Sequence, residues 1–461
     1  MKSQFTELSA LAPDVKDYLP RAARILAEID SRAFESRDYL LALLNRLIAE
    51  IDYDVSRQLE KILADTRFVS LKTNWLGVES LVELPVSQRR TRVRILDVSA
   101  QELAGDLDVF EDISRTALYN LVANREFNTA GGQPFGLLLS SFFLAIDTDN
   151  GSAQLGLETA SRLGQLGQAC LCPVIFAPAP TFFGETDAGW FADTARMHKL
   201  LSGPYFSAWR EFRQRPSAKY VAVVMPSFRL HGRYRDYQAG VLFDQNPSHS
   251  TDLWCNPVFV FAAVVMREFS RTSWFGFLRS VLPGRYQGSM INLAPQSHAP
   301  QFLVEPVAKY SFSKTLAEFY GRWGFITATR NRITGKYLFL DNPSVSDAAK
   351  LPQHRIDSRI ETTLAICRVA HYVKKRIRHL LGRLLTPAEC ESELRAWLSR
   401  YTTELDSGDE SLLCRYPLRA FSLSLDEVED ARVLHCVLRV VPQWQLDDIG
   451  GEITVAIERE Q

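Results

Sequence analysis

The sequence predicts an α/β fold, built as a mixed, partly parallel sheet with a helical N-terminal region and a helical-plus-strand C-terminal region. Three observations predict it. Apolar residues recur at helical spacing before residue 65, strand-like and helix-like stretches alternate through the middle, and the chain turns from helices to strands near its end. The expected boundaries are 1–70 for the helical region, 71–345 for the α/β core and 346–461 for the C-terminal helices and strands.

Residues 37–64 carry the clearest helix pattern. Leu40, Leu44, Leu47, Ile48, Ile51, Val55, Leu59 and Ile62 fall at three- and four-residue spacing, so this stripe needs a core or a partner helix. Val15–Ile29 repeats the pattern more weakly. The run Arg92-Val-Arg-Ile-Leu-Asp-Val98 then reads as a strand. Ser99 with Glu102 forms a capping box that opens a helix at 100. Ser152–Leu166 and 205–214 read as helices, and Ala169–Ala177 and Tyr220–Met225 as strands. Val258–Met266 fits a buried strand or a buried helix equally. The polar stretch 341–358 marks a boundary loop. Beyond it, Ile366, Ala370, Val373, Ile377, Leu380 and Leu384 line one helical face. Thr386-Pro-Ala-Glu389 caps another helix, and Ala420–Leu425, Val433–Val441 and Ile453–Ile457 read as strands.

Composition excludes several function classes. The formal net charge of −1 argues against a global basic field for nucleic acid. Met1–Asp17 has no secretory pattern. The longest apolar runs, Val258–Met266 and Phe135–Ile146, are shorter than the roughly 20 residues a spanning helix needs, so a soluble, cytoplasmic chain is expected. Seven scattered cysteines form no disulfide framework and no zinc pattern, and should be reduced and buried.

A search for chemistry finds no catalytic or cofactor motif. Gly131-Gly132-Gln-Pro134-Phe-Gly136 lacks the Lys-Ser/Thr of a phosphate loop and reads as a turn requiring positive φ. The eight histidines are dispersed, and Asp447-Asp448 reads as a solvated pair. The strongest charge feature is Lys374-Lys375-Arg376-Arg378-His379. It is a solvated face, a contact for an acidic partner or, as a weak third option without interleaved aromatics, a nucleic-acid contact. An enzyme with a site assembled from distant residues stays open at this level.

Several ordered segments resemble the large subunit of the type VI secretion contractile sheath, the TssC/VipB (ImpC/EvpB) family. They are Ile48-Ala-Glu-Ile-Asp52, Gln58–Leu63, Asn74-Trp75-Leu-Gly77-Val-Glu-Ser-Leu81, Val93–Leu107, Glu126–Leu137 with Gly131, Gly132 and Pro134, and Pro226–Tyr234. Trp254-Cys-Asn-Pro257, Gly324–Ile326, Ala370–Val373, Trp397-Leu…Tyr401, Pro417…Ala420 and Gln445-Leu446 follow in family order. The family's Trp-Arg-Gly-Leu is Trp75-Leu-Gly77-Val here. The resemblance implies a structural protein of contractile-sheath fold, without cofactor, metal or catalytic group. It implies pairing with a small sheath subunit (TssB/VipA-like) and with neighbouring sheath subunits, around an Hcp tube and on a baseplate. A ClpV AAA+ unfoldase acting on the N-terminal helices is implied too, as is an exchanged strand arm, for which Ile453–Ile457 is the candidate. Lys374, Lys375, Arg376 and Arg378 become candidates for a tube-facing or inter-subunit surface. The alternatives are a non-polymerising adaptor or baseplate component of the same system, and a phage-tail sheath.

Overall fold

A computed structural model describes residues 13–147, 154–184, 188–231, 235–236, 243–244, 253–275, 278, 288–290, 293, 307–332, 335–347, 359–381, 386–404, 410–428, 433–443 and 451–458. Its backbone divides into two compact units, one of residues 1–71 with 232–252 and one of 72–231 with 253–461.

In the first unit, α1 (Pro13–Ile29) and α2 (Arg37–Ala64) are the helices that the apolar spacing predicts. The Ser36 side chain caps α2 by accepting from the Tyr39 N–H. Only Leu43 of α2 is fully buried, while Ile48, Ile51 and Ile62 are exposed. Within this unit α2 lies beside a two-strand ladder, described below as β6 and β7.

The helix α3 (Thr66–Val82) leads into the second unit, where Gly77 lies against Phe259, so close that a Cβ there would overlap the ring. Next come α4 (Ala100–Val109), opened by the Ser99–Glu102 capping box, and the short helix α5 (Ala117–Tyr119), which runs into a π-helix at Asn120–Asn128. Then follow β1 (Leu138–Leu144), β2 (Gln154–Leu155), α6 (Leu157–Cys170) and β3 (Val174–Pro178). After them come α7 (Ala188–Ala192), α8 (Thr194–Ser202), α9 (Ser207–Gln214) and β4 (Val221–Met225). The short strands β5 (Phe228–Arg229) and β8 (Trp254–Cys255) pair with each other, as do β6 (Arg235–Asp236) and β7 (Phe243–Asp244). The series continues with α10 (Pro257–Thr272), α11 (Lys314–Arg322), β9 (Phe325–Arg330), β10 (Tyr337–Phe339), α12 (Ile360–Leu381), α13 (Pro387–Ser399) and α14 (Glu410–Arg415). It closes with β11 (Leu418–Val428), β12 (Val433–Pro442) and β13 (Gly451–Glu458).

The main sheet runs β10-β9-β4-β3-β1-β2. All its pairings are parallel except β9 with β10. Its central strands are buried on both faces, which explains their continuous apolar sequences. Val174 and Phe176 of β3, with Val221 and Val223 of β4, pack into one core with α6 and α9. Ile175, Ala177, Ala222 and Val224 pack into another with α10. Trp209 on α9 is fully buried, stacked on Phe325 at 5.2 Å and edge-on to Phe182 at 5.6 Å. Such aromatic pairs add about 0.5–1.5 kcal/mol beyond their area. A third core joins α12 and α13 to the antiparallel sheet β11-β12-β13 through Ala370, Val373, Ile377, Leu394, Leu423 and Leu438.

Several expectations change. Val258–Met266 lies within α10, capped by Asn256 and led by Pro257. Residues 169–170 end α6, and Leu171 closes it in the left-handed region at φ 54, so the strand starts only at Val174. Residues 341–347 form a loop, but Asn342, Ser344 and Val345 in it are buried. Residues 92–98 are not a strand among the described residues: the run has no ladder partner and is mostly exposed. Residues 348–358, Asp447 and Asp448 lie outside the described residues, as do Gln445 and Leu446.

Candidate assembly surfaces

The motif residues fall into two groups. Gly77, Gly132 and Pro257 are packing positions: Gly77 faces Phe259, a Cβ on Gly132 would lie 2.4 Å from the Glu126 carbonyl oxygen, and buried Pro257 starts α10. Gly131 has φ +85, the turn geometry expected of it, and Pro134 beside it is half-buried. Trp254 carries the Arg229 guanidinium 5.1 Å from its ring centre. Trp397 packs partly buried on the third core, 5.5 Å from the Tyr401 ring. Trp75 is the exception, 59% exposed on α3, so its side chain does not hold the described fold together.

The basic cluster on α12 is divided. Lys374 is only 9% exposed; its ammonium donates to Asn128 Oδ1 at 2.8 Å and lies 3.8 Å from the Phe127 ring centre. Arg376 is half-buried and sits 3.8 Å from Glu393 on α13. Lys375 is exposed and Arg378 half-exposed. Lys374 is therefore corrected from a surface cation to a packing residue, because it shares the buried face of α12 with Ala370, Val373 and Ile377. The outward charge is narrower than the sequence suggests.

Sequence reasoning missed His371, one turn before Lys375. It is 4% exposed, and its Nε2–H donates to the Cys170 carbonyl at 3.1 Å. Burial, with Arg368 and Lys374 nearby, lowers its pKa from 6.5 to about 4. Below pH 6.5 the unfolded chain binds a proton that the folded chain refuses until about pH 4, so stability is lost as pH falls through that window. The loss is about 3 kcal/mol. Urea unfolding should show wild type losing about that much more than His371→Gln between pH 7 and pH 4. Parallel pH profiles for the two proteins would contradict it.

None of the seven cysteines forms a disulfide among the described residues, and all but half-buried Cys414 are buried. Burial pushes Cys170, Cys255 and Cys436 up to about 12. Among the described residues no group of His, Cys, Asp and Glu could hold a metal ion, and no helix is long and apolar enough to cross a membrane.

Open backbone marks other surfaces. On β11, Arg395 of α13 donates to the Leu423 carbonyl, and Glu391 accepts from the Leu425 N–H at 3.2 Å. That outer edge is thus partly occupied. β13 is the opposite edge strand of its sheet, with no strand on its outer side among the described residues.

Two family models match the chain. The model described as EvpB/VC_A0108, tail sheath N-terminal domain, covers residues 45–346. The model described as EvpB/VC_A0108, tail sheath gpW/gp25-like domain, covers 349–458. The type VI secretion system sheath protein TssC1 of Pseudomonas aeruginosa is 22% identical over 432 residues, covering 90% of this chain and 85% of that protein. Two solved structures are similar at lower scores. A chain of the anti-feeding prophage baseplate matches with TM-score 0.34 and 9% identity over 80% of each chain. A sheath tail protein from Listeria innocua matches with TM-score 0.32 and 11% identity, over 66% of this chain and 60% of that one.

Proposed function

Because the chain belongs to the EvpB/VC_A0108 tail sheath family, it is a structural subunit of a contractile sheath, and we propose that it is the large subunit of a type VI secretion sheath. The observation that carries this reading is the match of both sheath domains, in order, over residues 45–346 and 349–458. In this role it pairs with a small sheath subunit in the bacterial cytoplasm and polymerises with its neighbours around an Hcp tube on a baseplate. Contraction of the polymer drives the tube outward, and a ClpV-type unfoldase recycles the contracted form. The subunit does no catalysis. Its rigid double-faced sheet suits a building block, and an open helical polymer uses contacts that do not close into a ring.

Within this reading, Lys375 and Arg378 are the cations that face a neighbour or the tube, and β13 is the exchanged arm, adding to a neighbouring sheet edge. Co-expression with the small sheath subunit should give cogwheel-ended tubules by negative-stain electron microscopy. Soluble monomers only, with the small subunit verified in the same extract, would overturn the reading.

A further inference from the structure

The two edges of the sheet β11-β12-β13 are not alike. β13 has no strand on its outer side among the described residues, whereas β11 is closed by groups of its own chain. At its start, the Leu418 N–H donates to the Tyr401 carbonyl at 3.1 Å, and the Leu418 carbonyl accepts from the Thr403 N–H at 3.0 Å, a parallel bridge. Farther along, two side chains of α13 take the place of a strand. Arg395 donates to the Leu423 carbonyl, and Glu391 accepts from the Leu425 N–H at 3.2 Å. In a parallel ladder one residue of the incoming strand makes this pair of bonds, donating to one carbonyl and accepting from the N–H two residues on. The two side chains are also joined to each other, since the Arg395 Nε–H donates to Glu391 Oε1 at 2.8 Å. Both reach solvent, so they can leave the edge together without stranding a buried charge. The helix does not depend on them for its packing, because Cys390, Leu394 and Leu398 bury its other face.

We propose that Glu391 and Arg395 form a releasable plug on the outer edge of β11, which keeps the free chain from accepting the β13 edge of a neighbouring copy and swings out when that copy joins the sheath. The plug rests on the polymerising role given above. β11 and β13 both run antiparallel to β12, so they point the same way. Copies stacked head to tail therefore present β13 of one to β11 of the next as a parallel pair, the geometry that the plug imitates. An unplugged β11 together with an open β13 would let the free chain self-associate. With the plug in place, addition becomes an exchange of one set of bonds for another. That exchange is favoured where a growing end holds the neighbour at high effective concentration.

The test mixes the purified full-length chain with the small sheath subunit and follows assembly by light scattering over a range of concentrations. The double variant Glu391→Ala/Arg395→Ala should begin to form tubules at a concentration about tenfold lower than wild type, the plug's bonds no longer having to be broken. The thermal unfolding of the free variant should shift by no more than a few degrees. In tubules of the wild-type chain, cryo-electron microscopy should show both side chains turned away from Leu423 and Leu425. A pair still bonded there overturns the plug alone, as does an unchanged onset for the folded double variant. Amorphous aggregate in place of tubules overturns it too, because the edge would then be guarded against unspecific pairing and not reserved for a neighbour. If the double variant unfolds, the side-chain positions in the wild-type tubules decide. A wild-type chain that forms no tubules, with the small subunit verified in the mixture, sinks the polymerising reading and the plug with it.

Discussion

Lys374→Glu will destabilise the folded chain by about 4 kcal/mol, whereas Lys375→Glu will change its stability by less than about 0.5 kcal/mol. The two residues are adjacent and carry the same charge, so the difference is one of helix face. The Lys374 ammonium donates to Asn128 Oδ1 at 2.8 Å and sits over the Phe127 ring. Glutamate reverses both contacts. Its carboxylate meets an amide oxygen that can only accept, and the negative face of an aromatic ring repels it. With 9% of the residue exposed, water cannot replace what is lost. Lys375 points into solvent, where a charge reversal alters only screened, long-range interactions. Equilibrium urea unfolding of both variants checks this. Equal midpoints would show that Lys374 is not held in the third core. The consequence for assembly experiments is direct: reversing the whole cluster mixes an unfolding effect with a surface effect. Lys375 and Arg378 alone test the cationic face.

The Lys374 position was legible from spacing in principle. It lies four residues after Ala370 and three before Ile377, both buried, so the apolar stripe of α12 passes through it. Composition obscured this, because a run of cations reads as one surface. The helices α2, α4 and α13 were legible because each has a local signal: periodicity for the first, a capping box for the other two. The helix α10 was ambiguous because Val258–Val265 is buried all round and therefore has no polar face to set a period. Residues 92–98 failed differently. Strand propensity describes a fit to a neighbour, and the sequence does not say whether that neighbour is in the same chain. The family segments marked packing positions such as Gly77 and Pro257, whose demands are steric and local. Arg213 and His371 were missed, since their roles come from groups more than 100 residues away.

Arg213→Ala will also cost about 4 kcal/mol, although Arg213 belongs to no motif. It lies on α9, 5% exposed, where a lone arginine would be unfavourable. Its Nε–H donates to the Val345 carbonyl at 3.0 Å and its Nη2–H to the Arg322 carbonyl at 2.7 Å. Asp347 lies 3.7 Å away and opposes the lowering of its pKa by burial. One guanidinium thus ties the end of α11 and the loop at 345–347, whose Val345 is buried, to α9. Gly324 allows the approach: its φ of +88 turns the chain, and a Cβ there would lie 3.1 Å from Val345 Cα. Removing the side chain leaves two backbone acceptors unsatisfied, each costing about 1–3 kcal/mol, and opens a cavity beside Trp323. Arg213→Lys should recover only part of the loss, because an ammonium lacks the planar fork that reaches both carbonyls. Arg215→Ala, two residues on and more exposed, should cost less than about 1 kcal/mol despite its pairs with Glu158 and Glu211. Urea unfolding should rank the losses Arg213→Ala, then Arg213→Lys, then Arg215→Ala. Equal losses for the two alanine variants would mean that the clamp adds nothing beyond an ordinary surface pair.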